Sequence, residues 1–261
     1  MDNLILVLLY VMLFFLGASL GSFSLVIVRR GHNDDWKSWL TGKSYCEKCK
    51  KTLEWWEMIP TISFLTLGGK CSRCRTKIDP SHFLCETFAG LMYVALFVMY
   101  QLEMFTLPQF IFYLIVNSFM IALSASDFLY REINSLFVYI LGGIGLVYNA
   151  IFNQNYIAIP ITIGLFVLLG WLCSKDNFTL IGSGDIDVGV CIFALLGTAF
   201  GIIDVILYAA LAGIVLFVTL YRKGDKAIPF VPCLYIGYFM SAMGISVSQS
   251  LFDLFQKLFQ L

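Results

Sequence analysis

Charge is scarce in this chain. Charged side chains make up 13% of its 261 residues, about half the share of an ordinary soluble domain. Neither sign dominates: 17 Lys and Arg face 17 Asp and Glu, so the basic surplus that a nucleic-acid binder needs is missing. Long polar stretches are missing too, with one exception, and this excludes a disordered scaffold. Histidine occurs twice, as His32 and His82, and both read as structural or solvated. There is no H-E-x-x-H pair, no phosphate-binding loop and no glycine-rich dinucleotide fingerprint, and no serine elbow at a strand-to-helix turn is read. What is present is apolar. Hydrophobic residues reach 59% and phenylalanine alone numbers 24, more than a soluble core of this size can hide. The composition is that of a polytopic membrane protein, expected to be an all-α bundle.

An apolar run of about 17–25 residues can cross a bilayer as a helix. The first run is residues 4–28, followed by Arg29 and Arg30. With no basic segment ahead of it, it reads as a retained helix and not as a signal peptide. Further spans are expected near 83–100, 107–126, 135–152 and 156–173. The stretch 186–221 is too long for one crossing, and Gly197 and Gly201 flank the expected turn that divides it. A last span is expected over about 230–251, for a total of eight. Charge orients the bundle. If the polar segment 29–82 is cytoplasmic, it places 11 Lys or Arg inside. The alternating loops then add Arg131, Lys175, Arg222, Lys223 and Lys226 on the same side, and only Lys257 falls outside. That asymmetry obeys the positive-inside rule and puts both termini outside. Three regions follow: a first helix over 1–28, a cytoplasmic module over 29–82 and a seven-helix core over 83–261. No internal repeat or low-complexity linker is evident.

The module holds four of the eight cysteines. Cys46-Glu47-Lys48-Cys49 and Cys71-Ser72-Arg73-Cys74 form two C-x2-C knuckles separated by 21 residues. Four thiolates in this arrangement suit a closed, tetrahedral, structural zinc site, and a cytoplasmic location disfavours disulfides. The competing reading is four reduced cysteines without metal. Lys48, Lys50, Arg73 and Arg75 flank the thiols and favour their ionised form. Trp55, Trp56 and Phe64 are expected at the membrane interface, where amphipathic rings settle. Cys85, Cys173, Cys191 and Cys233 read as small buried apolar side chains.

Carboxylates in or beside membrane spans are costly and mark function. Asp127 ends the third expected span and Asp185, in Gly182-Ser183-Gly184-Asp185, opens the sixth. Both fall at the cytoplasmic boundary. Two carboxylates brought close share one proton; the ionised member can take a proton from water while the other polarises a peptide carbonyl. That is aspartic peptidase chemistry. Gly182 and Gly184 would permit a close backbone approach before the helix. The plainer alternative is a helix cap at Asp185 and a solvated Asp127. Asp187, Glu132, Glu86 and Asp204 read as capping or ion-pairing residues. Two other readings stay open: a proton-coupled transporter using the same aspartates, and a non-catalytic zinc-module adaptor.

Taken in order, these motifs resemble the type IV prepilin peptidases, also called prepilin leader peptidase/N-methyltransferases. Gly21-Ser22-Phe23 with Arg29-Arg30, the paired C-x2-C knuckles around Ile59-Pro60 and Ser63, Asp127 with Glu132-Ile133, Gly182-Ser183-Gly184-Asp185, and Ile228-Pro229-Phe230-Val231-Pro232 carry the likeness. The chain departs from the family pattern at Met58, Asn134-Ser135 and Asp187. The resemblance implies a peptidase of the inner membrane that removes the basic leader of prepilins or pseudopilins at the cytoplasmic face. It also implies S-adenosylmethionine as a cofactor for N-methylation of the new terminus. Glu47, Glu54, Glu57 and Asp79 are candidates to steer the basic leader.

Overall fold

A computed structural model describes residues 3–32, 42–173, 183–197, 199–221, 229–248 and 250. Among the described residues there is no strand, only two isolated antiparallel bridges. The helices are α1 (Asn3–His32), the short α2 (Ile62–Thr66), α3 (Pro80–Gln101), α4 (Leu107–Tyr130), α5 (Ser135–Ile151), α6 (Ala158–Cys173), α7 (Ser183–Leu196), α8 (Ala199–Tyr221) and α9 (Val231–Ala242). Each expected span falls on one of them. By length and apolar character, α1, α3, α4 and the stretch Gly201–Thr219 of α8 can cross a membrane, whereas α5, α6 and α9 are shorter apolar helices.

Three expected boundaries move. Helix α1 runs on to His32, so Arg29 and Arg30 belong to its last turn, where cations complement the helix dipole. Helix α3 starts at Pro80, capped by Asp79, whose side chain accepts the Ser81 N–H; Pro at the first position is pre-organised for this. Helix α9 stops at Ala242, because Gly244 takes φ +72 and its N–H bonds back to the Ser241 carbonyl, a common way for a helix to end; Val247, Ser248 and Ser250 are helical again.

The chain forms two compact units, residues 1–125 and 126–261. In the first, α1 packs on α3 through small residues. A Cβ on Gly17 would lie 2.7 Å from the Ala89 carbonyl oxygen, and one on Gly21 2.9 Å from that of Cys85. Such backbone approach is the usual way helices associate in lipid, where no hydrophobic force distinguishes partner from solvent. These same residues spell Gly17-Ala18-Ser19-Leu20-Gly21, the letters of a serine-hydrolase elbow, but they sit mid-helix with no strand before them. Tyr93 ties α3 to α4: its hydroxyl donates to the Leu114 carbonyl (3.0 Å) and shares a hydrogen bond with Ser118 (2.6 Å).

In the second unit, α7 and α8 separate at Gly197, whose φ of +67 suits glycine. Asn149 of α5, buried, donates to the Ala194 and Leu195 carbonyls (2.8 and 3.1 Å), and Asn155 donates to that of Gly197 (2.8 Å). Carbonyls at a helix end lack intrahelical partners, and these amides supply them. Asp204 of α8, buried, accepts from the Ser246 hydroxyl and the Val247 and Ser248 N–H groups, the capping role read for it.

Candidate functional site

The cysteine module is built twice. In each knuckle the first cysteine's carbonyl accepts the N–H of the residue four on, Lys50 (2.9 Å) or Arg75 (3.1 Å). Its own N–H donates to the residue five on, Lys51 or Thr76 (2.9 Å each). Lys50 and Arg75 both adopt positive φ, 55° and 57°, and the bridges Tyr45–Thr52 and Lys70–Lys77 close the two turns. The knuckles are thus an internal repeat, offset by 25 residues and carried by backbone geometry more than by residue identity.

Folding the repeats together brings all four sulfurs within 4.8 Å of one another. Cys46 and Cys74 lie 3.8 Å apart and Cys49 and Cys71 4.0 Å. A tetrahedral zinc with Zn–S bonds of about 2.3 Å requires sulfurs about 3.8 Å apart, whereas a disulfide needs about 2.05 Å. The donor set therefore fits a four-thiolate metal ion. Its electrostatics agree. The Thr76 hydroxyl and N–H favour the Cys74 thiolate and hold it at about 6, while Cys71 is lowered chiefly by the Cys74 and Arg73 N–H groups. At Cys49 the Lys51 N–H favours the thiolate, but desolvation and the three neighbouring sulfurs outweigh it and push the thiol up to about 11. Four adjacent thiolates repel, and a bound dication relieves this.

Glu57 joins the two knuckles. It is buried, pairs with Lys51 of the first repeat at 3.0 Å, accepts from Ser72 of the second, and closes a capping box with the Glu54 N–H at 2.8 Å. Burial pushes its carboxyl up, but these donors and the Lys51 charge prevail and hold it below the ordinary range. Arg29 makes the other connection, donating to Glu47 (3.1 Å), Asp79 (2.6 Å) and Ser81 (2.9 Å), so the end of α1, the first knuckle and the cap of α3 meet at one guanidinium. Three of the four acids considered for steering a leader are therefore engaged internally. Buried Glu86 of α3 accepts the Thr61 N–H at 2.7 Å, which clamps the Ile59-Pro60 turn and does not cap its own helix. Phe64 stacks on Phe83 with centroids 5.0 Å apart, so it packs inward. Trp55 and Trp56 remain exposed, at 74% and 41%.

The aspartate segments lie in the second unit. Helix α4 ends where Arg131 takes φ 59 and donates its N–H to the Asp127 carbonyl, and Ser126 donates to the Glu132 carbonyl at 2.6 Å. The chain folds back here, and Asn134 then caps α5 by accepting the Leu136 N–H. The turn delivers Ile133 to the start of α7: a Cβ on Gly184 would sit 2.8 Å from the Ile133 Cδ1. Gly184 is thus needed for space. Asp127 is buried, 6% exposed, and its Oδ2 accepts the Val231 N–H at 2.9 Å. Asp185 lies in the first turn of α7, partly exposed. Ile133, in the turn that follows Asp127, thus packs on Gly184 in the first turn of α7, next to Asp185. Gly182 lies outside the described residues.

Sequence reasoning saw Pro229 and Pro232 as a motif but not the amide between them that reaches Asp127. It also missed Lys51 and Ser72 as partners of Glu57; only the acid–base composition of the loop hinted at them.

Residues 15–100 match the family described as Bacterial Peptidase A24 N-terminal domain. The chain is 25% identical over 206 residues to the type 4 prepilin-like proteins leader peptide-processing enzyme of Escherichia coli O78:H11, covering 75% of this chain and 73% of that one. It is 36% identical over 85 residues to the prepilin leader peptidase/N-methyltransferase of Myxococcus xanthus, covering 33% of this chain and 25% of that one. The namesake protein of Neisseria gonorrhoeae is 34% identical over 84 residues, with 32% and 28% covered. The chain thus spans about a quarter of the last two relatives. No solved structure matches.

Proposed function

We propose that this chain, whose similarities support the type IV prepilin peptidase family, is a membrane aspartic endopeptidase that removes the basic leader of pilin-like proteins at the cytoplasmic face. Asp127 and Asp185 form the dyad. The observation that carries the reading is the packing of Ile133 on Gly184, which seats the turn after buried Asp127 against the helix that opens with Asp185.

In the reaction, the pair holds one proton. The ionised carboxylate takes a proton from water, the oxygen attacks the scissile carbonyl, and the protonated carboxyl donates a hydrogen bond to the developing oxyanion. Collapse of the tetrahedral species returns a proton to the leaving amine, and the pair regains its starting state. The apparent titration belongs to both groups together. The substrate is a helix with a basic cytoplasmic leader, so a dyad at the membrane edge meets its scissile bond.

Cys46, Cys49, Cys71 and Cys74 would hold a structural zinc, which closes the site and offers no catalytic position. Trp55 and Trp56 rest on the headgroup region of the bilayer. An N-methyltransferase activity enters from the names of the relatives; S-adenosylmethionine as its donor and the new amino terminus as its target rest on the family resemblance. The test is co-expression with a prepilin and mass spectrometry of the client's mature N-terminus. A shortened client that Asp127→Asn and Asp185→Asn each leave uncut supports the dyad, and full cleavage by either variant refutes it. The same spectrum reads any added methyl group.

A further inference from the structure

Asp127 occupies an electrostatically poor position for an anion. It lies in the last turn of α4, where the helix dipole is negative, and it is buried. Something must compensate, and the compensation comes from 104 residues further along the chain. The Val231 N–H, at the first position of α9, donates to Asp127 Oδ2 at 2.9 Å in a buried bond, and the Phe230 N–H beside it also favours the carboxylate. These are amides that a helix start leaves without intrahelical partners. The next residue, Pro232, has no N–H to offer, and the first intrahelical bond of α9 is Leu234 N–H to the Phe230 carbonyl. The titratable groups beside the carboxylate are Arg131 at the end of α4 and Cys233 of α9, with Asp185 the proposed partner.

We infer that the Phe230–Val231 main chain is the positioning element of the dyad: its amides fix the orientation of the Asp127 carboxylate so that it meets substrate and Asp185 productively. This rests on the peptidase reading above. The two amides act through Asp127 and do not touch substrate, and the side chain of Val231, fully buried, has only a packing role.

The prediction separates amide from side chain. Purified full-length protein in lipid nanodiscs is assayed on a prepilin as wild type, Val231→Ala, Val231→Pro, a backbone ester at 231 and Asp127→Asn. The ester removes the donor while keeping the side chain; Val231→Pro also removes it but strains Phe230, whose helical backbone (φ −92, ψ −28) a following proline disfavours. Both should lower kcat by about 10–100-fold, the usual weight of a hydrogen bond to a charged group, and the ester should keep KM and the thermal midpoint near wild type. Val231→Ala, which keeps the amide, should lower the thermal midpoint and reduce kcat far less than the ester does. An ester variant with undiminished kcat overturns the inference even if Val231→Pro fails to fold. If Asp127→Asn is inactive while the ester variant is fully active, the amides fail alone and the dyad stands. If Asp127→Asn keeps cleaving, the dyad falls and the positioning role falls with it.

Discussion

The cysteine module and the aspartate turn solve opposite problems with polar groups. The module carries far more charge than the helices, folds from a segment of under forty described residues, and satisfies its buried acid locally: Glu57 finds Lys51, Ser72 and Glu54 all within 15 residues. The aspartate turn lies among apolar helices, and Asp127 draws its amide from 104 residues away. A short segment with few apolar residues lacks a core and must use a metal or cross-link as its organising centre. A carboxylate at the end of a membrane helix can rely only on what tertiary packing brings to it. One site depends on spacing, the other on the arrangement of whole helices.

The comparison is most exposed to breakage by metal removal. Structural zinc contributes on the order of 10–16 kcal/mol of apparent folding free energy in small modules. Purified protein is expected to carry about one zinc per chain. A strong chelator, or Cys46→Ser, should abolish amide-exchange protection in residues 42–79 and leave α7 to α9 protected. Loss of protection in both regions would show that the two are not separately stabilised. Next in size is the dyad itself: Asp127→Asn and Asp185→Asn should each lower prepilin cleavage by about 10²–10⁴-fold without changing zinc content, read by metal analysis of the same samples. Gly184 tests the packing that joins the two aspartate segments. Gly184→Ala places a methyl against Ile133 and should destabilise by about 1–3 kcal/mol, measured by thermal unfolding. Because the obstacle is the tip of a flexible side chain, Ile133→Val should restore part of the loss.

The smallest effect sharpens the module side. Partial burial pushes the Asp79 carboxyl up, but the Ser81 N–H and hydroxyl and the Arg29 guanidinium outweigh it and hold it below the ordinary carboxylate range. A depressed carboxyl stabilises the fold above its unfolded value of about 3.9 and loses that contribution as pH falls through the lower folded value. The side chain is half exposed, so the effect should stay below about 1 kcal/mol. Asp79→Asn should therefore lower the thermal midpoint slightly at neutral pH, the more so at low salt, and the difference should vanish at pH values below the folded one.

Much of this was legible before any coordinates. Helix placement followed from apolar runs, and the break at Gly197 from a run too long to be one crossing. The four sulfurs gather as their spacing implied. What escaped notice were contacts whose partners carry no signature of their own. An Asn in an apolar helix does not announce that it serves carbonyls 45 residues on, and a backbone N–H has no letter. Phe64 read as an interfacial ring like Trp55 and Trp56, and its stacking partner Phe83 carried no signal in the sequence. Helix ends shifted by a few residues wherever a cap or a left-handed residue, as at Asp79 and Gly244, decided the stop.

By itself the sequence determined the apolar, helical character, the helix order, the spacing of the four cysteines and the two candidate acids, because each is set by periodicity, composition or local separation along the chain. Only the tertiary structure decided which amide faces Asp127, why Gly184 has no room for a side chain, and which cations neutralise Glu57 and Asp79. Those contacts arise where helices distant in sequence meet, and the geometry of that meeting is a property of packing that no single segment carries.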